Sequence, residues 1–507
     1  MAGLCALSLL VPAAPPVLSQ NRLPALGESA SDDLSVGSER RLGDQIMRDI
    51  RRDPDYLDDP VLLEYLQSLW EPLVVAARTR GDIAPDLDQR FAWEAFLVRD
   101  RSVNAFALPG GYVGVHLGLI AMTATRDELA SVLAHELTHV TQRHIARSMA
   151  NSARQSLIGL AGMILGMIAA SRSTRMDGAN ALMTGGQAVA VQGQLNFSRD
   201  AEREADRIGF GVLTQAGFAP GGMAAMFEKL EYSSRLNDSG GFPYLRTHPL
   251  NAERIGEARA RLGTAARVPP VSVLSHSVAQ ARSKVMMDAR IDALRRWQAL
   301  ESPASAPAAE RLMAAYASAL ASTLLRDWAR ADTALQQAVA AARGDARSQR
   351  DVQLLLAQSL LARGDAERAA EVLAPFAKAD GASSSSRAVM LLSAQAAMAR
   401  DKTALQRSVE ELQTWTTLHP QDATVWSQLG RSWERLEQPL RALRAEAESR
   451  IALGDLQGGV DRLRAGQRLA RGSRMVDFMD ASVIDARLKE IEAQARKREA
   501  EERQKDG

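Results

Sequence analysis

His135-Glu136-Leu137-Thr138-His139 sets two imidazoles four residues apart with a carboxylate beside them. On a helix that spacing puts both rings on one face, one turn apart, where they can grip a single zinc ion with Glu136 alongside. The run is built to be helical. Leu129, Val132, Leu133, Leu137 and Val140 recur at helical spacing, Thr125-Arg126-Asp127-Glu128 reads as a capping box, and no Gly or Pro interrupts residues 121 to 150. A carboxylate and two imidazoles among Leu and Val carry large desolvation costs unless something pairs them, and a metal is such a partner. The plainer reading, a helix with two ordinary histidines, leaves that cost unmet.

A hydrolytic zinc takes three protein ligands and keeps one position open, so a third ligand must come from elsewhere. The candidate stretch runs from Ser198 through Glu202 and Asp206 to Gly209. Glu202 and Asp206, spaced i, i+4, fall on one side of a second helix. Glu202 could bind the metal while Asp206 fixes a ligand histidine from behind. Acidic and basic residues alternate here, so an exposed charged helix face is the competing reading.

His-Glu-Leu-Thr-His followed about sixty residues later by Ser-Arg-x-x-Glu-x-Glu-Ala-Asp resembles the zinc metallopeptidases related to the CAAX prenyl proteases. The resemblance extends upstream to Asn104-Ala105-Phe106-Ala107-Leu108-Pro109-Gly110-Gly111 and on to His116, and downstream to Thr247-His248-Pro249 with Arg254. It covers about residues 35 to 260. It implies a gluzincin, with His135, His139 and Glu202 as ligands of one zinc ion and Glu136 as general base. In relatives the histidine matching His248 sits near the metal and can take its open position, which implies a self-inhibited resting state; a surface loop histidine is the alternative.

The chemistry follows from physical need as well. Zinc supplies a water activated at neutral pH and polarises the scissile carbonyl. Glu136 can accept the proton and pass it to the leaving amine. Residues 103–106 and 112–115 read as two short strands joined by Leu108-Pro109-Gly110-Gly111. Asn104, Ala105 and Phe106 would then form an edge that pairs with an extended substrate. Arg254, on a helix that Asn251 could cap, would either stabilise an oxyanion or pair with a nearby carboxylate.

With 507 residues and 46% hydrophobic content, the chain can bury two or three domains. A net charge of +1, with both signs interspersed, favours neither nucleic acid nor an acidic membrane as partner. Residues 1–20 resemble the apolar core and cleavage region of a secretory signal, although without a basic n-region, which leaves open an upstream start. Export to the periplasm is the expectation. The single cysteine, Cys5, would leave with the signal, which suits an oxidising compartment. No apolar stretch reaches the ~20 residues that span a bilayer. The nearest, residues 157–170, reads as a buried helix or as a mobile element over the cleft.

Past residue 260 the composition turns to Ala, Leu, Gln and Arg-rich helices. Turn phrases aligned at Asp327, Asp365, Asp401 and Gln438 recur at spacings of 38, 36 and 37 residues, with a further turn at Leu453-Gly454-Asp455. That period is close to the tetratricopeptide repeat, and Trp426-Ser427-Gln428-Leu429-Gly430-Arg431-Ser432-Trp433 resembles its first helix. A generic helical bundle is the alternative. The expected fold is mainly α (α+β): a gluzincin metallopeptidase domain with a small edge hairpin or sheet, then an α-solenoid of tetratricopeptide repeats. The expected boundaries are 1–20 signal, 21–265 peptidase, 266–307 linker and connecting helix, 308–484 repeats, and 485–507 a solvent-exposed charged helix or tail.

An exported zinc peptidase with repeats and no membrane span resembles, as a whole, the envelope-assembly proteases of bacterial periplasms. The resemblance implies unfolded or misassembled outer-membrane proteins as substrates, with the repeats contacting the outer-membrane barrel-assembly complex. A chaperone or adaptor with a latched metal site is the alternative from another class, and a cytosolic peptidase is a third.

Overall fold

The computed structural model describes residues 35–151, 199–236, 242–263, 273–377, 386–472 and 477–506. The expected signal with Cys5, the apolar stretch 157–170 and Ser198 lie outside the described residues.

The amino-terminal half opens with α1 (Val36–Arg52) and α2 (Pro60–Arg80), with strand β1 (Tyr56–Leu57) between them. The short helix α3 (Pro85–Arg90) leads into β2 (Glu94–Val98), β3 (Ala105–Leu108) and β4 (Tyr112–His116). These strands form one sheet in the order β1-β2-β4-β3, with β2 and β4 parallel and the other two pairs antiparallel. The expected hairpin is present, shifted two residues along its first strand, and β3 is an edge strand. Its turn needs glycine: Gly110 and Gly111 have φ of 79° and 94°, and a side chain on Gly111 would meet the Phe91 and Ala92 backbone region at under 3.0 Å.

After α4 (Leu117–Met122), helix α5 (Arg126–Thr141) carries the His-Glu-x-x-His residues through the centre of the core. Thr125 Oγ1 accepts from the Glu128 amide at 3.2 Å, and Glu128 Oε2 accepts from the Ala124 amide at 2.6 Å, a capping box displaced by one residue. Every residue from Asp127 to Thr141 is buried. Leu129, Leu133 and Leu137 are fully enclosed, and burial of each such side chain stabilises by roughly 1.5–3 kcal/mol, which helps the helix tolerate its titratable residues.

The helix does not run on to residue 150. Arg143 adopts a left-handed backbone (φ 51°) and the chain restarts as α6 (His144–Asn151). A non-glycine residue there costs about 1 kcal/mol or more. Arg143 is held by its Nε, which donates to buried Glu39 on α1 at 2.9 Å.

Helices α7 (Arg199–Gln215) and α8 (Gly221–Leu236) pack on α5, followed by α9 (Pro243–Thr247) and α10 (Ala252–Leu262). Gly209 lets α7 lie close: a Cβ there would sit 3.1 Å from the Ala134 carbonyl, beside His135.

The stretch expected as a linker contains α11 (Leu274–Met286) and α12 (Ile291–Gln298). It is not a passive connector. Ala279 joins the amino-terminal core while Val278, Ala281 and Val285 join the next one, and His276 takes a 2.6 Å hydrogen bond from the Tyr65 hydroxyl.

Antiparallel hairpins follow: α13/α14 (Ala308–Leu324, Trp328–Ala341), α15/α16 (Ala346–Ala362, Ala366–Ala377), α17/α18 (Arg387–Met398, Lys402–Leu418), α19/α20 (Ala423–Arg435, Pro439–Ala452) and α21/α22 (Leu456–Gly472, Phe478–Asp506). Each turn read from the sequence lies between two helices. The repeated Asp has a physical cause, because Asp327, Asp365, Asp401 and Asp455 each accept from the amide three residues on and cap the helix that follows. The charged last helix is not simply a solvated tail: Ile484, Leu488 and Ile491 form one buried stripe against Leu456, Val460 and Leu463.

The two halves are joined through the start of α2. Val61 sits in an apolar cluster with Leu354, Ala357, Leu373, Ala388, Val389 and Leu392. Around it, Asp59 pairs with Arg282 through two 2.7 Å bonds, Asp58 pairs likewise with Arg387, and Glu64 bonds Ser386 at 2.6 Å and the Ala388 amide at 2.9 Å. The first helices of two consecutive hairpins therefore hold the chain's own amino-terminal half.

Candidate metal centre

His135 and His139 project from one face of α5, and Glu202 reaches them from α7. The Nε2 atoms of the two rings are 3.0 Å apart, and the Glu202 carboxylate lies 3.5 Å from one and 3.4 Å from the other. His248, at the end of α9, adds Nδ1 at 2.9 Å from Glu202 Oε1. Among the described residues, one ligand atom from each of His135, His139, Glu202 and His248 lies within 4.8 Å of all the others, and all four residues are buried.

The contacts around this group suit one arrangement of its lone pairs. His135 Nδ1 contacts Asp206 Oδ1 at 2.9 Å, and His139 Nδ1 contacts His144 Nδ1 at 2.8 Å. With both Nδ1–H groups so directed, both Nε2 lone pairs face each other and an ionised carboxylate. Such a cluster of acceptors is repulsive unless a cation sits among them. Two imidazoles and a carboxylate suit zinc, so the donor set fits a zinc ion, with His248 near enough to be a fourth ligand.

The protonation tendencies follow from burial and charge. Burial would raise Glu202 and Asp206, but the His248 charge and the bonds from His135 and His139 outweigh it for Glu202, and Arg254 and His135 do so for Asp206; both carboxyls are held below their usual range. Burial would lower His135, yet its bonds to Asp206 and Glu202 bring it up to about 10, so without a metal cation among the acceptors a proton on His135 takes that place. His139 is driven well down, chiefly by burial.

Glu136 is fully enclosed. Neither of its oxygens has a well-formed hydrogen bond, and burial raises its carboxyl. A buried carboxylate kept short of partners and raised towards neutrality suits proton acceptance and return. It lies on the same helix as the two histidines and faces the edge strand β3.

Asp206, His248 and Arg254 all contact this group. Asp206 lies behind His135, as expected from its spacing. Arg254 pairs with carboxylates: Nε and Nη2 bond Asp206 at 2.7 and 2.9 Å, and Nη1 lies 2.8 Å from Glu202 Oε2. Those donors are engaged, which favours the ion-pair reading over the oxyanion one. Asn251 caps its helix, accepting from the Arg254 amide at 2.9 Å. Ala105 and Phe106 lie in the edge strand, and Asn104 directly precedes it, its carbonyl accepting from the His116 amide at 3.1 Å.

Two contributors escaped the sequence reading. Tyr244 stacks on His248, with ring centroids 4.6 Å apart. His144 bonds both His139 and Glu204.

Comparison with known proteins accords with this geometry. Residues 64–262 match the family described as Peptidase family M48. The chain is 38% identical over 247 residues to the beta-barrel assembly-enhancing protease of Escherichia coli, an alignment covering 48% of this chain and 47% of that protein. Its counterpart in Yersinia pestis is 36% identical over 267 residues, covering 52% of each. A mitochondrial metalloendopeptidase of Saccharomyces cerevisiae is 29% identical over 197 residues, covering 38% of this chain and 53% of that one. The chain thus spans about half the length of the curated relatives it matches.

Proposed function

From the match of residues 64–262 to Peptidase family M48, we propose that this chain is a zinc-dependent endopeptidase of the periplasm that degrades misassembled or stalled outer-membrane proteins and assists their assembly. The observation that carries the hydrolytic part is the convergence of His135 Nε2, His139 Nε2 and the Glu202 carboxylate on one point, with Glu136 buried beside them. Zinc there supplies an activated water and polarises the scissile carbonyl. Glu136 takes up the proton and returns it to the leaving amine. The β3 edge receives substrate as an added strand, aligned along α5. Asp206 and Arg254 hold His135 and Glu202 in register.

The substrate class rests on the relatives' names, beta-barrel assembly-enhancing protease. The helical hairpins, read as tetratricopeptide repeats, dock substrate or the barrel-assembly complex on surfaces that the peptidase half leaves uncovered. A leader in the first residues delivers the chain to the periplasm, and no described helix is long and apolar enough to cross a membrane.

The test is incubation of the purified chain with an unfolded outer-membrane β-barrel protein. Cleavage that a chelator stops and added zinc restores is the expected result. A zinc-loaded chain that never cuts, even with His248 replaced by Ala, would instead favour the chaperone or adaptor reading, for which the position of His248 among the ligand atoms is the supporting observation.

A further inference from the structure

His144 lies outside the ligand group, yet it is 2% exposed and joins that group to an acid on another helix. Its Nδ1 is 2.8 Å from His139 Nδ1, and its Nε2 is 3.0 Å from Glu204 Oε2. Arg147 Nη1 donates to the same Glu204 oxygen at 3.0 Å. We propose that His144 and Glu204 are positioning residues for the metal centre: a relay in which His139 Nδ1–H donates to His144 Nδ1 and His144 Nε2–H donates to Glu204, so that His139 keeps its Nε2 lone pair on the metal.

The centre is otherwise lopsided. His135 has its acid in direct contact, Asp206 Oδ1 at 2.9 Å from its Nδ1. His139 Nδ1 meets the His144 imidazole, and through it Glu204. Acids behind ligand histidines fix the tautomer and raise the basicity of the coordinating nitrogen, and His135 has one at first remove and His139 one at second remove. Five residues along an uninterrupted helix, His144 would point well away from His139. The left-handed backbone of Arg143, anchored on Glu39, folds the chain back so that the two rings meet at a centroid distance of 4.8 Å. A strained residue held by a buried acid, immediately before the bridging ring, is a built feature rather than a helix that merely frays.

This inference rests on the metal-site reading above, and the test separates the two. Zinc affinity of the full-length chain is measured by competition with a chelator of known strength, for wild type, His144→Leu, His144→Gln and Glu204→Gln. Gln at 144 can still accept from His139 and donate to Glu204, whereas Leu fills the space and does neither. The expected result is zinc binding about 10–100-fold weaker in His144→Leu, recovered to within a few-fold of wild type in His144→Gln. Glu204 is partly exposed, so Glu204→Gln folds whatever becomes of the buried site, and it should also bind zinc more weakly. Equal zinc affinity in wild type, His144→Leu and Glu204→Gln would overturn the relay, as would a His144→Gln variant as weak as His144→Leu. A wild type that binds no zinc would overturn the metal-site reading itself.

Discussion

His248 Nε2 lies 3.4 Å from Glu136 Oε1, so one imidazole reaches the residue assigned as base while its other nitrogen touches the ligand Glu202. A ring in that position fills the ground where a substrate carbonyl would have to approach both Glu136 and the metal. His248→Ala should therefore raise proteolysis of an unfolded substrate severalfold while zinc stays bound to the other three ligands. Initial cleavage rates of the two proteins check this; equal or lower rates in the variant would remove the latch from the account.

Glu202 is the only one of the four candidate ligands that comes from α7. Replacing it by Ala should reduce bound zinc to well below one ion per chain after dialysis, and should leave Arg254 buried with one carboxylate partner instead of two. Metal analysis of the dialysed variant is the check, and full occupancy would show that the third ligand lies elsewhere.

Asp59 and Arg282 bind the two halves together with both side chains nearly excluded from water, at 5% and 3% exposure. Removing one member of such a pair strands the other, so Asp59→Ala should cost about 3–5 kcal/mol. The exposed pair Arg78–Asp88, at 43% and 37%, should contribute less than about 1 kcal/mol when broken. Urea midpoints of Asp59→Ala and Asp88→Ala make the comparison, and similar shifts would contradict the assignment of the α2 start as the principal joint.

Asp351, on the first helix of the second hairpin, is pushed up to about 6 by burial, which the nearby Arg350 and Arg347 only partly counter. A carboxyl raised above its unfolded value gives its full contribution at pH below about 4, and loses it as pH rises through about 6. Asp351→Asn should consequently raise the thermal midpoint at pH 7.5 and leave it nearly unchanged at pH 4. A variant equally stabilised, or equally destabilised, at both values would show that charge is not the cause.

What the sequence made legible was local. The His135–His139 spacing, the Thr125 cap and the Glu202–Asp206 pair are each set by one helix's own geometry, and all reappear in the structure. The hairpin turns were visible for the same reason, since Asp327, Asp365 and Asp401 mark helix starts wherever they recur. What escaped notice depends on chain segments meeting across the fold. His144 stands at a spacing that points away from His139 on a straight helix, and only the turn at Arg143 brings it back; that turn depends on Glu39, about a hundred residues earlier. An Arg-His pair one turn past the motif, with a second acid two residues beyond Glu202, was the available signal. The joint at Asp58, Asp59 and Glu64 had none, because its partners lie more than 200 residues away and are ordinary arginines in sequence. The last helix was misjudged because its charges are dense, while the stripe of Ile484, Leu488 and Ile491 is narrow.

The central claim is that Glu136 acts on a substrate beside a zinc ion held by His135, His139 and Glu202. The most direct measurement is peptide-bond cleavage by Glu136→Gln and wild type, with zinc quantified in the same samples. The account predicts one zinc per chain in both and turnover reduced by about 10²–10⁴-fold in the variant. Undiminished cleavage with zinc retained would contradict it.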